Sequence, residues 1–204
     1  DLEELLAAVT ARTRMIAVSH VEYASGFRHD LATIGRFCRE RGILLCVDAI
    51  QSCGIVPLDV VAMRIDFLSA DGHKWLLAPE GCAIFYCRKE LIARMQPEVG
   101  WMNVVNALDF SRIDFTLRPD ARRFECGSHN VPGVLALGAA LDLALEIGID
   151  RIFARVQGLN GRLVAGLRAK GYRIISSRLP GETSGIVAFA SDHHDHEALL
   201  KSLE

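Results

Sequence analysis

Two short stretches hold the side chains best suited to chemistry. The first is Ile65 to Cys82, IDFLSADGHKWLLAPEGC, with Lys74 at its centre. A short apolar run (Ile65, Phe67, Leu68) stops at the polar cluster Ser69 to His73, and the lysine follows at once. A strand that empties into Asp-Gly-His-Lys places an amine at the carboxyl end of a sheet, the end where open α/β sheets bind ligands. A desolvated lysine there can lose its proton and attack a carbonyl to form a Schiff base. Taken alone, Lys74 reads as a solvated loop residue, because lysines usually keep their charge in water.

The second stretch is Gly42 to Gln51, GILLCVDAIQ. Ile43 to Val47 is apolar throughout, consistent with a strand covered on both faces. It ends in Asp48, with Gln51 three residues on. A carboxylate at one strand end and a lysine at the next could flank a planar aldehyde cofactor. Pyridoxal phosphate needs both: a lysine to attach it and an acid to keep its pyridine nitrogen protonated. For Asp48 alone, capping a helix after the strand is an equally open use.

The elements around these residues alternate. Leu2 to Val9 has helical spacing. Met15 to Ser19 reads as a strand, and His20 and Tyr23 lie in the loop after it. His20 could reach a ligand or simply satisfy backbone groups. Asp30 starts a helix with Leu31, Ile34, Phe37 and Cys38 on one face, and Gly42 ends it. Leu58 to Met63 reads as a short helix, Asp66 to Ser69 as a strand and Ala83 to Cys87 as another. The short connection from Lys74 to Ala83 suits an antiparallel last strand. A helix follows around Lys89 to Met95. This order specifies an α/β fold with a mostly parallel sheet flanked by helices. Gln96 to Asp120 has no clear period and reads as a lid or a dimer contact. Gly127 and Ser128 precede a helix to about Ile147, where backbone N–H groups could hold an anion or merely cap the helix. Val134 to Leu145 is apolar almost all round, as in a buried helix. Gly148 marks the expected boundary between a large domain, residues 1–148, and the start of a smaller α+β domain, residues 149–204. A helix from Asp150 to Ala169 and strands at Tyr172 to Ser176 and Gly185 to Ala190 belong to the latter.

VDAIQ, then IDFLSADGHKW, then RFECGSHN resembles the class V aminotransferase family of pyridoxal-phosphate enzymes, which includes cysteine desulfurases, selenocysteine lyases and isopenicillin N epimerase. From about Met15 to about Phe189 the chain is similar to the family's middle portion. The resemblance implies the fold-type-I architecture of these transferases. It implies that Lys74 forms the internal aldimine, that Asp48 pairs with the pyridine nitrogen, that Gln51 hydrogen-bonds the phenolic oxygen and that His73 contacts the phosphate. The family's matching Gly-Thr reaches the phosphate of the partner subunit's cofactor. Gly127 and Ser128 keep that pattern, which implies a homodimer with shared active sites. Two residues depart from the desulfurase pattern: Asp71 stands where serine is usual, and Tyr23 where asparagine is usual. The implied reaction is C–S or C–Se cleavage of cysteine or selenocysteine. Transamination or epimerisation of another amino acid is the alternative, and an inactive structural relative is a third reading.

Composition narrows the classes further. The 204 residues are 50% hydrophobic with a net charge of −2 and 7% aromatics. There is no basic stripe for nucleic acid, and no apolar run reaches the roughly 18 residues of a membrane span. The chain opens on Asp1 inside a helical pattern and reads as the middle of a longer polypeptide. Six cysteines without a C-x-x-C spacing suggest reduced thiols in a cytoplasmic protein. The desulfurases' catalytic cysteine lies on a loop beyond the part present here, and Cys126 reads as a packing residue. The Asp192-His193-His194-Asp195-His196 run lacks the i, i+4 pair of a helical zinc motif, so no metal site is expected, and Ser191 or Asp192 should cap the next helix.

Overall fold

The computed structural model describes residues 2–203. Its centre is a four-stranded sheet in the order β1 (Met15–Ser19), β2 (Leu44–Asp48), β3 (Phe67–Asp71), β4 (Ala83–Cys87). The first three strands are parallel, with Ser19 opposite Asp48 and Asp48 opposite Ser69. β4 runs antiparallel, with Asp71 opposite Ala83. β1, β2 and β3 therefore end at one edge of the sheet.

Local sequence explains the crossover that makes this possible. α2 (Leu31–Arg41) begins where the Asp30 carboxylate accepts the Thr33 amide at 3.0 Å. It buries Leu31, Ile34, Gly35 and Cys38 against the sheet and stops at Gly42, whose φ of 67° suits a residue without a Cβ. The main core joins these residues to Ile16, Leu45, Val47, Leu68 and Ala70. Both faces of β2 are covered, which is why its sequence is a continuous apolar run. At the opposite edge, the buried Asp66 carboxylate accepts from Leu45 N at 2.9 Å and from Arg88 Nε at 2.6 Å, tying β2, β3 and β4 together.

Several sequence expectations change, among them the strands expected at 172–176 and 185–190, which shrink to 173–174 and 189–190. Residues 58–63 form turns instead of a helix. Asp59 Oδ1 takes the amides of Val61 and Ala62, and Arg64 follows at a φ of 55°, leaving room for a single turn. The helix expected to Met95 is the short α3 (Lys89–Ile92). α4 (Val131–Ile147) buries only Gly133 and Leu137; Val134, Leu135, Leu143 and Leu145 are exposed. Its apolar sequence exceeds what one contact face uses, because nothing else in the described residues covers the outer side.

α1 (Leu2–Ala7) packs on the core, and residues 96–120 form an irregular excursion that exposes Val99, Trp101, Leu108, Phe110, Ile113 and Phe115. α5 (Ile149–Ala169) leaves α4 at 79°. β5 (Arg173–Ile174) and β6 (Phe189–Ala190) form a small antiparallel pair, and α6 (His196–Leu203) closes the chain. Asp195 takes the Ala198 amide at the start of α6. Ser191 Oγ instead receives the amides of His193 and His194 in the preceding turn. Among the described residues no single helix is long and apolar enough to cross a membrane.

Candidate active site

The carboxyl edge of the parallel strands gathers four of the residues singled out in the sequence. Asp48 is the last residue of β2, flanked in register by Ser19 and Ser69. Its Oδ1 accepts the Ile50 amide at 2.9 Å, and the amides of Ser52 and Cys53 both donate to Ala49 O. The chain thus reverses immediately after the strand and carries Gln51 round this turn. Asp48 caps the turn locally and remains exposed, so the capping leaves its side chain open to solvent.

β3 continues to Asp71 and enters a second, closed turn. Gly72 N donates to Cys82 O at 2.8 Å, Ala78 N to Gly72 O at 2.9 Å and Leu77 N to Lys74 O at 3.1 Å. A Cβ on Gly72 would lie 2.7 Å from Cys82 O, so the turn has no space for a larger residue. Lys74 is half-buried on this turn. Leu77 sits at a φ of 57°, an unfavourable conformation for a branched side chain.

The two turns pack on each other. Gly54 has a φ of +96°, and a Cβ there would lie 2.4 Å from Trp75 O. The chain after Asp48 and Gln51 is therefore seated directly against the residue that follows Lys74. Trp75 in turn packs on the cluster of Val21, Ile55 and Val56, and its ring lies against Gly185. The Gly54–Trp75 approach was not legible in the sequence, although a tryptophan directly after Lys74 is the signal that could have suggested an anchor.

His73 Nδ1 lies 3.4 Å from Asp71 Oδ1, and the same carboxylate oxygen accepts the Gly72 amide at 3.0 Å. His20 is buried. Its backbone N–H donates to Asp48 O at 2.8 Å, and its carbonyl accepts from His29 N. Burial, with Arg28 and His29 nearby, lowers its pKa from 6.5 to about 4, so the ring is neutral. Among the described residues its Nδ1 has no hydrogen-bond partner. The neighbouring cavity of about 430 Å³ is lined by His20, Arg28, Asp30 and Glu182 among others, and lies on the α2 side of the β1 loop. Tyr23 is 77% exposed in that loop.

Gly127 and Ser128 are not part of the α4 N-terminus. Asn130 caps that helix by accepting the Gly133 amide at 3.2 Å, and its Nδ2 donates to Gly81 O at 3.0 Å. The approach to α4 is thereby pinned beside the Lys74 turn. Ser128 itself is exposed, and no hydrogen bond or ion pair joins it to Lys74 among the described residues. All six cysteines are free thiols, with Cys126 exposed. Among the described residues no group of three or more His, Cys, Asp or Glu side chains is placed to hold a metal ion.

The donor set on this edge is an amine, a carboxylate, an amide and an imidazole, on two turns too tightly packed to drift apart. It fits a planar aldehyde that carries a basic ring nitrogen and an anionic group. Solved structures share the framework. An apo cysteine desulfurase from Thermococcus onnurineus superposes with a TM-score of 0.89 at 26% identity, covering 100% of this chain and 50% of that one. A cystine C–S lyase in complex with its product cysteine persulfide gives 0.87 at 25% identity, covering 98% and 53%. The fold is that of the fold-type-I pyridoxal-phosphate enzymes.

The family follows from the sequence. The model described as Aminotransferase class-V matches residues 1–204, and this chain belongs to that family, whose cofactor is pyridoxal phosphate. A probable cysteine desulfurase of Methanothermobacter thermautotrophicus is 36% identical over 145 residues, 71% of this chain and 36% of that protein. A cysteine desulfurase of Dickeya dadantii is 32% identical over 196 residues, 95% and 46%. An uncharacterized aminotransferase of Bacillus subtilis is 31% identical over 204 residues, 98% and 53%. The chain spans about half the length, or less, of the curated relatives it matches.

Proposed function

We propose that this chain supplies the lysine-bearing part of a pyridoxal-phosphate enzyme that cleaves the Cβ–S or Cβ–Se bond of cysteine or selenocysteine. The observation that carries the reading is the packing of the Asp48 turn against the Lys74 turn at one sheet edge. The desulfurase relatives support the choice of reaction. Lys74 Nζ attaches the cofactor aldehyde and, once released by substrate, takes and returns the proton at the substrate Cα. The cofactor supplies an electron sink for the charge left at that carbon. Asp48 keeps a proton on the ring nitrogen. Gln51 hydrogen-bonds the phenolic oxygen, and His73 binds the phosphate. Gly127 and Ser128 serve the cofactor of a second subunit in a cytoplasmic homodimer, with the domain boundary at Gly148. The exposed side of α4 is consistent with such an assembly.

The test uses the complete, cofactor-loaded protein with L-cysteine and no keto-acid acceptor. With a dithiol reductant added to supply the two electrons that convert the released persulfide-level sulfur to sulfide, alanine and sulfide in many-fold excess over enzyme are expected. A reaction that stops after one equivalent, leaving the amine form of the cofactor, would assign transamination instead. The aminotransferase relative that covers 98% of this chain is what keeps that second reading in play. Asp48→Ala should lower turnover by about 100-fold or more while changing cofactor affinity far less. Untouched turnover would remove Asp48 from its role. Borohydride reduction followed by peptide mass analysis should place the cofactor on Lys74, and Lys74→Ala should abolish the adduct.

A further inference from the structure

Asp71 is an acid in an awkward place for a site that takes a phosphate. It ends β3, three residues before Lys74, and no resemblance assigns it a role. Its geometry is defined. Oδ1 accepts the Gly72 amide at 3.0 Å and lies 3.4 Å from His73 Nδ1. Gly72 is closely packed, since a Cβ there would meet Cys82 O and Ala78 Cβ. The carboxylate and the imidazole flank this packed residue and are about a third exposed, at 39% and 32% of their side-chain surface.

A neutral imidazole that donates from Nδ1 has only a lone pair at Nε2 and cannot donate to an anion. An imidazolium donates from both nitrogens. A carboxylate on Nδ1 and a phosphate on Nε2 each favour that doubly protonated ring. We propose that Asp71 is a positioning residue that acts through His73: its carboxylate, 3.4 Å from Nδ1, orients the ring so that Nε2 faces the phosphate of the cofactor. The proposal rests on the reading that Lys74 and His73 hold pyridoxal phosphate. Asp71 then adds affinity for the phosphate instead of repelling it.

The experiment compares pyridoxal phosphate with pyridoxal, which has the aldehyde and ring but no phosphate. Dissociation constants are measured by absorbance on the complete protein after cofactor removal, in wild type, Asp71→Asn, His73→Asn and the double variant. Asp71→Asn should weaken pyridoxal phosphate about 10-fold, in line with loss of one charge-assisted contact. Pyridoxal affinity should be unchanged. Once His73 is Asn, the Asp71 change should have no further effect. The phosphorus resonance of the bound cofactor should move in Asp71→Asn and in His73→Asn alike. Thermal midpoints of the cofactor-free proteins separate these effects from misfolding, and Asp71→Glu provides a charge-retaining control if the Asn variant folds poorly. Tighter pyridoxal phosphate binding in Asp71→Asn would show repulsion and overturn the proposal. Equal weakening of both ligands, or an undiminished Asp71 effect without His73, would also overturn it. If wild type binds neither ligand and borohydride gives no adduct on Lys74, the underlying reading falls first.

Discussion

His20 gives the residue scale its sharpest consequence. Its pKa is about 4 in the folded protein, against 6.5 for an exposed histidine. The unfolded chain therefore takes up a proton, as pH falls below 6.5, that the folded chain refuses. Stability should be unaffected above that range and decline between pH 6.5 and 4, by about 3 kcal/mol in total. Denaturant titrations across this window should show the slope, and His20→Gln should flatten it; an equal slope in the variant would remove His20 as its source. Leu77 offers the opposite case. It is 70% exposed and sits at a φ of 57°, so its side chain gains little from burial and its backbone is strained. Leu77→Gly should stabilise the Lys74 turn by about 1 kcal/mol, read as a raised denaturation midpoint. Residues of this kind divide sharply in how well the sequence announces them. Lys74 and Asp48 stand at apolar-run ends, which draws attention to them, while the roles expected of them and of Gln51 came from the family resemblance. The left-handed Leu77 and the neutral His20 depend on distant packing that no local pattern carries.

At the scale of elements, the parallel strands and their order were legible because β1, β2 and β3 are short apolar runs cut off by polar residues. The antiparallel β4 followed from a connection too short for a crossover. The turn at residues 58–63 was misread because its apolar spacing mimics a helix. Only the Asp59 carboxylate on two amides and the Arg64 backbone show that it stops after one turn. The second face of α4 was misread for a different reason: apolar character says that a surface avoids water, not which body covers it. The strand-joining role of Asp66 was also hidden, since a lone acid before a strand has many uses. Its carboxylate is 3% exposed and serves a β2 amide and Arg88 together. Asp66→Ala leaves the Leu45 amide without its acceptor and takes one of two carboxylate partners from the half-buried Arg88, and should cost about 2 kcal/mol by chemical denaturation. A loss below about 1 kcal/mol would mean that the tie between β2 and β4 is dispensable.

For the molecule as a whole, the balance of covered and uncovered surface decides behaviour in solution. The α2 side of the sheet is closed by the main core, while Met15 and Phe85 on its other face, together with α4 and residues 99–115, present apolar side chains such as Leu135, Leu145, Phe110 and Ile113 to water. Contiguous apolar surface of this kind drives association. The 204-residue chain alone should self-associate, and Leu135→Lys with Leu145→Lys should reduce light scattering without lowering the thermal midpoint by more than a few degrees. Trp75 ties this larger architecture back to the chemistry. The chain has two tryptophans, and one of them adjoins Lys74 while packing on Val21, Ile55 and Val56, the cluster that α5 also joins. With Trp101→Phe, the remaining indole becomes an optical gauge built into the site. Its emission should fall as a visible-absorbing cofactor occupies the neighbouring lysine, so occupancy can be followed by light in real time before any substrate is added.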